Sequence, residues 1–402
     1  MSEFKMTLPE SVEFIINRMN SFGYSAHVVG GSVRDSLIGR DLGDFDITTN
    51  ALPTETKQVF EGYRTVDTGI KHGTVTLVLD RVPYEITTYR VDGDYKDNRH
   101  PDSVSFTESL TEDLARRDFT VNAMAYSPSD GLVDPFGGRD DASLGILRAV
   151  GDPTVRFTED ALRILRALRF AAVLGFKIED NTADAVRALA NSLVNISKER
   201  VYTELEKLIS GDNAYEVLLE YSDVLSVAFF GLTVKALPKK ANFIEADYLT
   251  RLTSIIHLNS DDSRADAERI LSSLKTDKFT RTYTNSVLSA YSEACFDTEK
   301  NTLRLLSRHG KEALLGALKL GIAEGVFGER EREVFYGALA SGIPYTVSGL
   351  DLRGGDLNKI GIKGEAVGEA LKSLLSAVID GRVENSKDAL ISYFESGDLR
   401  TV

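Results

Sequence analysis

Two carboxylates one residue apart, Asp44 and Asp46, follow a Gly30-Gly31 pair and constrain this chain more than any other feature. They lie in VVGGSVRDSLIGRDLGDFDITTN, Val28 to Asn50. The pattern predicts a short apolar strand running into the glycines, a helical turn carrying Arg34 and Asp35, and a second strand bearing Asp44-Phe45-Asp46. Side chains alternate across a strand, so both aspartates share one face and Phe45 turns into the core. Carboxylates held side by side repel each other unless a cation lies between them. Hard oxygen ligands of this kind suit Mg²⁺, which takes one or two carboxylates and completes its shell with water and substrate phosphates. The glycines let the backbone approach a phosphate, with the N-terminus of the following helix behind it. Phosphate cradle and metal pair are therefore expected in one site.

Around that stretch the patterning is α/β. Leu8 to Phe22 reads as an amphipathic helix with Val12, Ile15, Ile16 and Met19 at helical spacing. Leu52-Pro53-Thr54-Glu55 opens another helix, with Thr54 as candidate cap. Gly73 to Leu79 and Tyr84 to Tyr89 read as a hairpin joined at Asp80 to Pro83 and extending the same sheet. Glu85, inside the second run, is either a third carboxylate pointing toward Asp44 and Asp46 or a solvated strand glutamate. Arg90 to Leu110 is polar and without periodicity, which reads as a surface loop. Gly131 to Gly138 makes a turn out of the sheet.

Beyond the sheet the pattern turns helical. Thr158 is placed to cap a helix whose first turn carries Glu159 and Asp160. Leu162, Leu165 and Leu168 face its core, and Arg163, Arg166 and Arg169 form the adjacent row. Asp160 stands one turn before Arg163, so an acceptor lies beside a fork of donors. Cytosine and adenine both show an exocyclic amine next to a ring-nitrogen acceptor, which such a pair could read; uracil and guanine show the inverse. The other reading is an ordinary surface ion pair, worth a few tenths of a kcal/mol. From Gly175 onward the chain is helical to its end, broken at Ser210 to Asn213 and Leu258 to Ser263, without a repeat of fixed period. Gly361-Ile362-Lys363-Gly364 precedes a further helix and reads as a plain turn or as a hold for an RNA phosphate.

The order GGSVRD, GDFD, RRDFTVNA at Arg116 to Ala123, and EDALRILRALRF at Glu159 to Phe170 resembles the class II tRNA nucleotidyltransferases. That family lies within the polymerase β superfamily and includes CCA-adding enzymes and bacterial poly(A) polymerases. Its strong motifs cover roughly the first half of the chain. The resemblance implies a polymerase β-like head with a mixed sheet and helices (residues 1–140), followed by an all-α neck (141–200), body (201–275) and tRNA-binding tail (276–402). It implies Asp44, Asp46 and Glu85 as catalytic residues, with Mg²⁺ on Asp44 and Asp46. Gly31 and Arg34 would hold phosphates or ribose, Arg117 the triphosphate, with Asp118 and Asn122 near the sugar. Asp160 with Arg163 would select the base, while Arg166 and Arg169 would take triphosphate or stack on it. A flexible loop in the Arg90 to Leu110 segment is kept by family members that complete the CCA end. The implied reaction is addition of C, C and A to the tRNA 3′ end and acceptor arm from CTP and ATP. A poly(A) polymerase and an A-only or CC-only enzyme share most of these motifs; a non-catalytic RNA-binding module predicts a lost carboxylate or broken cradle, and both are intact.

Composition sets the outer limits. At 402 residues, two or more packed units are expected. A single cysteine, Cys295, excludes a disulfide framework or Cys-based zinc site and fits a reducing cytoplasm. No stretch reads as a membrane span or signal segment. Five scattered histidines with no His-Asp doublet argue against an appended phosphohydrolase domain. The formal net charge of −14 confines any RNA contact to a local basic patch.

Overall fold

The computed structural model describes residues 4–67, 69–93 and 104–397. They fall into two compact units, Met1–Thr233 and Val234–Val402. In the first, helix α1 (Glu10–Ser21) buries Val12, Ile15, Ile16 and Met19 against the sheet, as the spacing predicts. The sheet has seven strands: β1 (Ala26–Val29), β2 (Asp46–Thr49), β3 (Arg64–Val66), β4 (Thr74–Leu79), β5 (Val82–Thr88), and, after the polar segment, the pair Ala125–Ser127 and Gly131–Val133. It runs β3-β4-β5-β2-β1 and then through those last two strands. β2 and β5 pair in parallel and the other neighbours are antiparallel, so the sheet is mixed. The hairpin turn places Asp80 and Arg81 at φ 49° and 70°, the left-handed pair that a two-residue hairpin loop requires.

Three local readings change. The second strand begins at Asp46, so Asp44 and Phe45 belong to the chain leading into it, with Phe45 half-buried against the head core. Helix α3 (Pro53–Val59) starts one residue ahead of Thr54. Its first turn is closed by the Glu55 carboxylate, which accepts from Leu52 N–H at 2.7 Å. Arg90–Asp92 and Val104–Phe106, read as loop, pair as an antiparallel two-stranded ribbon. Residues 94–103, the middle of that expected loop, lie outside the described residues.

Helix α4 (Leu110–Ala115) stops before the RRD segment, so Arg116, Arg117 and Asp118 sit in a bend rather than on a helix. A short helix, α5 (Gly138–Leu144), follows the sheet, its Gly138 and Arg139 N–H groups bonded to the Asp134 carboxylate. Gly138 is there because a Cβ would lie 2.2 Å from the Thr120 carbonyl oxygen. Gly138→Ala is expected to cost about 1–3 kcal/mol in chemical denaturation, since the backbone must shift to admit the methyl group.

The neck is two helices where the sequence suggests one. Helix α6 (Pro153–Glu159) is capped by Asp152, and Thr158, expected as a cap, lies inside it and bonds to the Thr154 carbonyl. Asp160 is extended, at φ −137° and ψ 103°, and breaks the helix; α7 (Leu162–Leu174) restarts after it. A two-stranded parallel ribbon, Ile146–Leu147 with Lys177–Ile178, interrupts the otherwise helical neck. Leu162, Leu165 and Leu168 are buried, and helix α8 (Asp180–Ala188) and helix α9 (Lys198–Ser210) complete the packing.

The second unit is helical throughout its described residues, from Lys240–Glu245 to Lys387–Glu395. Its core includes Leu306, Leu314, Phe335, Leu357 and Leu374. Among the described residues, no helix is long and apolar enough to cross a membrane. A mixed α/β head followed by a helical remainder is the expected fold class.

Candidate active site

Head and neck enclose a cleft of about 420 Å³. β1 delivers the chain into Gly30, whose φ of 75° only glycine adopts easily, and a Cβ there would lie 3.1 Å from Arg117 Nη1. The absent side chain is what lets the Arg117 guanidinium lie against the start of helix α2 (Gly31–Leu37). Burial pulls the Arg117 pKa down, and the carboxylates of Asp113, Asp118 and Asp46 oppose that pull. Its nearest carboxylate, that of fully buried Asp113, is 3.6 Å away, and its Nε has no hydrogen-bond partner. A half-buried guanidinium whose buried Nε is an unused donor, beside a glycine cradle, is suited to an anion.

From the cradle a chain of polar contacts crosses the cleft. Arg34 Nη1 donates to Asn122 Oδ1 at 2.6 Å, Asn122 Nδ2 donates to Asp118 Oδ1 at 3.1 Å, and Arg166 Nε donates to Asp118 Oδ2 at 2.7 Å. Arg34 is further held by its neighbour Asp35, at 2.9 and 3.0 Å. Asp118 therefore ties the head to α7. Burial acts to raise its pKa, but Arg166 and Asn122 outweigh it and hold Asp118 down at about 2, against an ordinary 3.8. Because the folded value is the depressed one, this contribution is present above pH 4 and is lost as pH falls toward 2. Acid titration is expected to remove roughly 2 kcal/mol of stability in that window, and Asp118→Asn to abolish that part of the slope in denaturation curves.

Asp46 opens to the cleft, while Asp44 and Glu85 are not among its lining residues. The parallel register pairs Ile47 with Ile86, so Glu85 and Asp46 stand at matching positions of adjacent strands. Burial raises the Asp46 pKa, Glu85 and Asp44 raise it further, and Arg117 opposes them. An accumulation of negative charge at one strand end is the condition that a hard cation relieves. Among the described residues no three His, Cys, Asp or Glu side chains converge as a metal cage. The donor set thus fits a divalent ion that draws much of its coordination from phosphate and water.

The neck wall differs from expectation in its pairing. Arg163 Nη1 donates to Glu159 Oε2 at 2.6 Å and to the Arg156 carbonyl, and Nη2 donates to the Arg116 carbonyl. Asp160 instead uses Oδ1 to accept from Leu162 N–H, which caps α7, and Oδ2 to accept from Arg200 Nη2 at 2.9 Å. The break at Asp160 causes the exchange, because out of the helix its side chain no longer shares Arg163's face. Asp160, Arg163, Arg166 and Arg169 still line the same cleft as Gly31, Arg34, Asp46 and Arg117.

Four residues were not foreseen. Asp113 buttresses Arg116 and Arg117 from beneath; Arg200 meets Asp160; Glu204 lies 2.8 Å from Arg169; and the Phe170 ring underlies the guanidinium of Arg169 at 4.0 Å. Arg200 and Glu204 are spaced i,i+4 in SKERVYTELEKL, a pairing that by itself reads as a surface ion pair.

Residues 26–148 match the model of the poly(A) polymerase head domain, 175–225 that described as "Probable RNA and SrmB- binding site of polymerase A", and 251–394 the tRNA nucleotidyltransferase domain 2. The CCA-adding enzyme of Limosilactobacillus fermentum is 38% identical over 401 residues, covering 96% of this chain and 97% of its own. The chain belongs to the CCA-adding enzyme family. Another family member, from Geobacillus thermodenitrificans, is 50% identical over 204 residues, a match spanning 51% of this chain and half the length of that relative. The crystal structure of the Bacillus stearothermophilus family member, in complex with CTP, superposes with a TM-score of 0.81 at 32% identity, covering 98% of this chain and 99% of that one. Family enzymes are nucleotidyltransferases that work with a divalent metal ion.

Proposed function

We propose that this chain adds C, C and A in turn to the 3′ end of tRNA from CTP and ATP, with release of pyrophosphate, working with Mg²⁺ in the cytoplasm. The observation that carries the reading is the single cleft in which a carboxylate strand end, a glycine cradle and an arginine-rich wall face one another. Residues 1–140 act as head, 141–200 as neck, 201–275 as body and 276–402 as tRNA-binding tail.

Asp46 and Asp44 would hold the metal, with Glu85 supporting the charge from the neighbouring strand. Bound there, Mg²⁺ would supply Lewis-acid stabilisation to the transferring phosphoryl group and the departing pyrophosphate. The rest falls to the chain's own side chains. Arg117, with the backbone of Gly30 and Gly31, binds the triphosphate, so that its α-phosphorus faces the RNA 3′-hydroxyl in line with the leaving group. Arg34, fixed by Asp35 and Asn122, orients ribose or phosphate. Arg166 and Arg169 flank the nucleotide from α7, with Arg169 packed on Phe170. The Asp160 carboxylate accepts from the exocyclic amine shared by cytosine and adenine. Uracil and guanine, which present a carbonyl oxygen in that position, set acceptor against acceptor.

The test is extension of tRNA lacking its last three nucleotides, with Mg²⁺ and each NTP singly and together, and products sized by gel. Growth by three nucleotides with CTP and ATP supports the reading. A long ladder with ATP would point to poly(A) synthesis, a stop after one or two additions to a partial enzyme, and no extension to a binding role.

A further inference from the structure

Past Arg169 the nucleotide cleft adjoins a second cavity of about 400 Å³, whose lining includes Arg40, Arg169, Val173, Lys207 and Asp212. Arg169 lines both cavities. The chain just after α2 supplies Arg40, and the last turns of α7 and α9 supply Val173 and Lys207. Arg40 Nη1 donates to the Val173 carbonyl at 3.2 Å, and among the described residues neither Arg40 nor Lys207 forms an ion pair. That sets them apart from Arg166 and Arg169, which lie against Asp118 and Glu204. Three cations against the one carboxylate of Asp212 make this cavity positive in a chain whose formal charge is −14. The fold explains part of their placement, because cations at helix C-termini offset the macrodipole and Arg40 satisfies an end carbonyl of α7. It does not require a cavity at that place, sharing an arginine with the nucleotide cleft.

We propose that Arg40 and Lys207, reached through Arg169, form an anion site that receives pyrophosphate as it leaves the cleft. This rests on the nucleotidyltransferase reading above. In that reading the base lies at Asp160, ahead of α7, and the triphosphate lies among Arg117, the glycine cradle, Arg166 and Arg169. A helix rises about 1.5 Å per residue, so Asp160, Arg166, Arg169 and Val173 run in one direction, from the base to the phosphates and then into the second cavity. In-line displacement brings the RNA 3′-hydroxyl to the α-phosphorus from the side opposite the leaving group. A basic cavity beyond the phosphate end is therefore placed for the departing pyrophosphate and not for the RNA strand. Arg40 and Lys207 are exposed, and the helix C-termini beside them oppose an anion, so the site is weak and screened by salt. Weak retention suits a product that must depart before the next nucleotide enters.

Arg40→Gln, Lys207→Met, the double variant and Asp212→Asn test this in the full chain. Two quantities are measured: inhibition of CMP addition by added pyrophosphate, and calorimetric titration of the protein alone with pyrophosphate. Neutralising either cation is expected to raise the pyrophosphate Ki and Kd by about threefold to fivefold, and neutralising both by about tenfold, as partly exposed charge contacts predict. Asp212→Asn removes the opposing charge and is expected to lower both constants, a change of sign that damage to the fold would not produce. The Kd for CTP, the KM for tRNA and the single-turnover rate are expected to stay at their wild-type values. Unchanged pyrophosphate constants in the double variant would overturn the inference. So would a raised KM for tRNA with those constants unmoved, which would make the cavity a contact for the RNA strand. Should the wild-type chain itself add no nucleotide, the functional reading fails first, and the titration of the double variant against wild type still decides whether the cavity holds pyrophosphate.

Discussion

Asp46→Asn is expected to lower the single-turnover rate of CMP addition by on the order of 10³-fold, since several kcal/mol of charge stabilisation at the transferring phosphoryl group depend on the carboxylate. The substitution is nearly isosteric and removes a charge from a place where Glu85 and Asp44 already press upon it. The fold has no reason to weaken, and the melting temperature should stay level or rise slightly. Arg117 and the glycine cradle are untouched, so CTP binding without metal should change little. A rate within tenfold of wild type at saturating Mg²⁺ would remove Asp46 from the metal site and leave this end of β2 without a catalytic role.

Asp118→Ala carries the largest expected cost in stability, about 3–5 kcal/mol, the range for breaking a buried ion pair by deleting one partner. The carboxylate accepts from Arg166, from Asn122 and from the N–H of Phe119, and it is 7% exposed. Its loss leaves Arg166 facing Glu204 at 4.0 Å as its remaining close carboxylate. Chemical denaturation of Asp118→Ala, Arg166→Met and the double variant measures the coupling directly. The double variant is expected to be more stable than Asp118→Ala alone, because the uncompensated charge is gone with its partner. Additive losses would mean that Asp118 acts only through the backbone of the RRD bend. Arg34 and Arg166 meet through Asn122 and Asp118, so Asp118→Ala should also weaken CTP binding from both sides of the cleft.

Patterns of period were read from the chain without difficulty. Helix α1 appears where Val12, Ile15, Ile16 and Met19 place it, and the hairpin of β4 and β5 where its β-rich runs place it. Glu85 illustrates an alternative that sequence had to leave open. Where a strand glutamate stands depends on register between strands far apart in the chain; the pairing of Ile47 with Ile86 sets Glu85 level with Asp46, and its side chain remains exposed to solvent there. Boundaries misread by a few residues had larger consequences in the neck. The continuous helical periodicity of Glu159 to Ala172 gave no sign that Asp160 leaves the helix, because aspartate is equally at home in a first turn and as a break that caps the next helix.

The sequence by itself determined the chemistry available: two carboxylates one residue apart, a glycine pair, an arginine row, and too acidic a total for indiscriminate RNA binding. Those properties are local, fixed by residue type and short spacing, and they survive errors of a residue or two in element boundaries. Tertiary structure alone decided the partners. Asp160 meets Arg200 from α9 and Asp118 meets Arg166 from α7. Asp113 supports Arg117 from α4, and Gly30 leaves room for that guanidinium. Each guanidinium has several carboxylates within reach along the chain, and the choice among them follows from burial, which makes one unpaired charge more expensive than any difference in sequence separation.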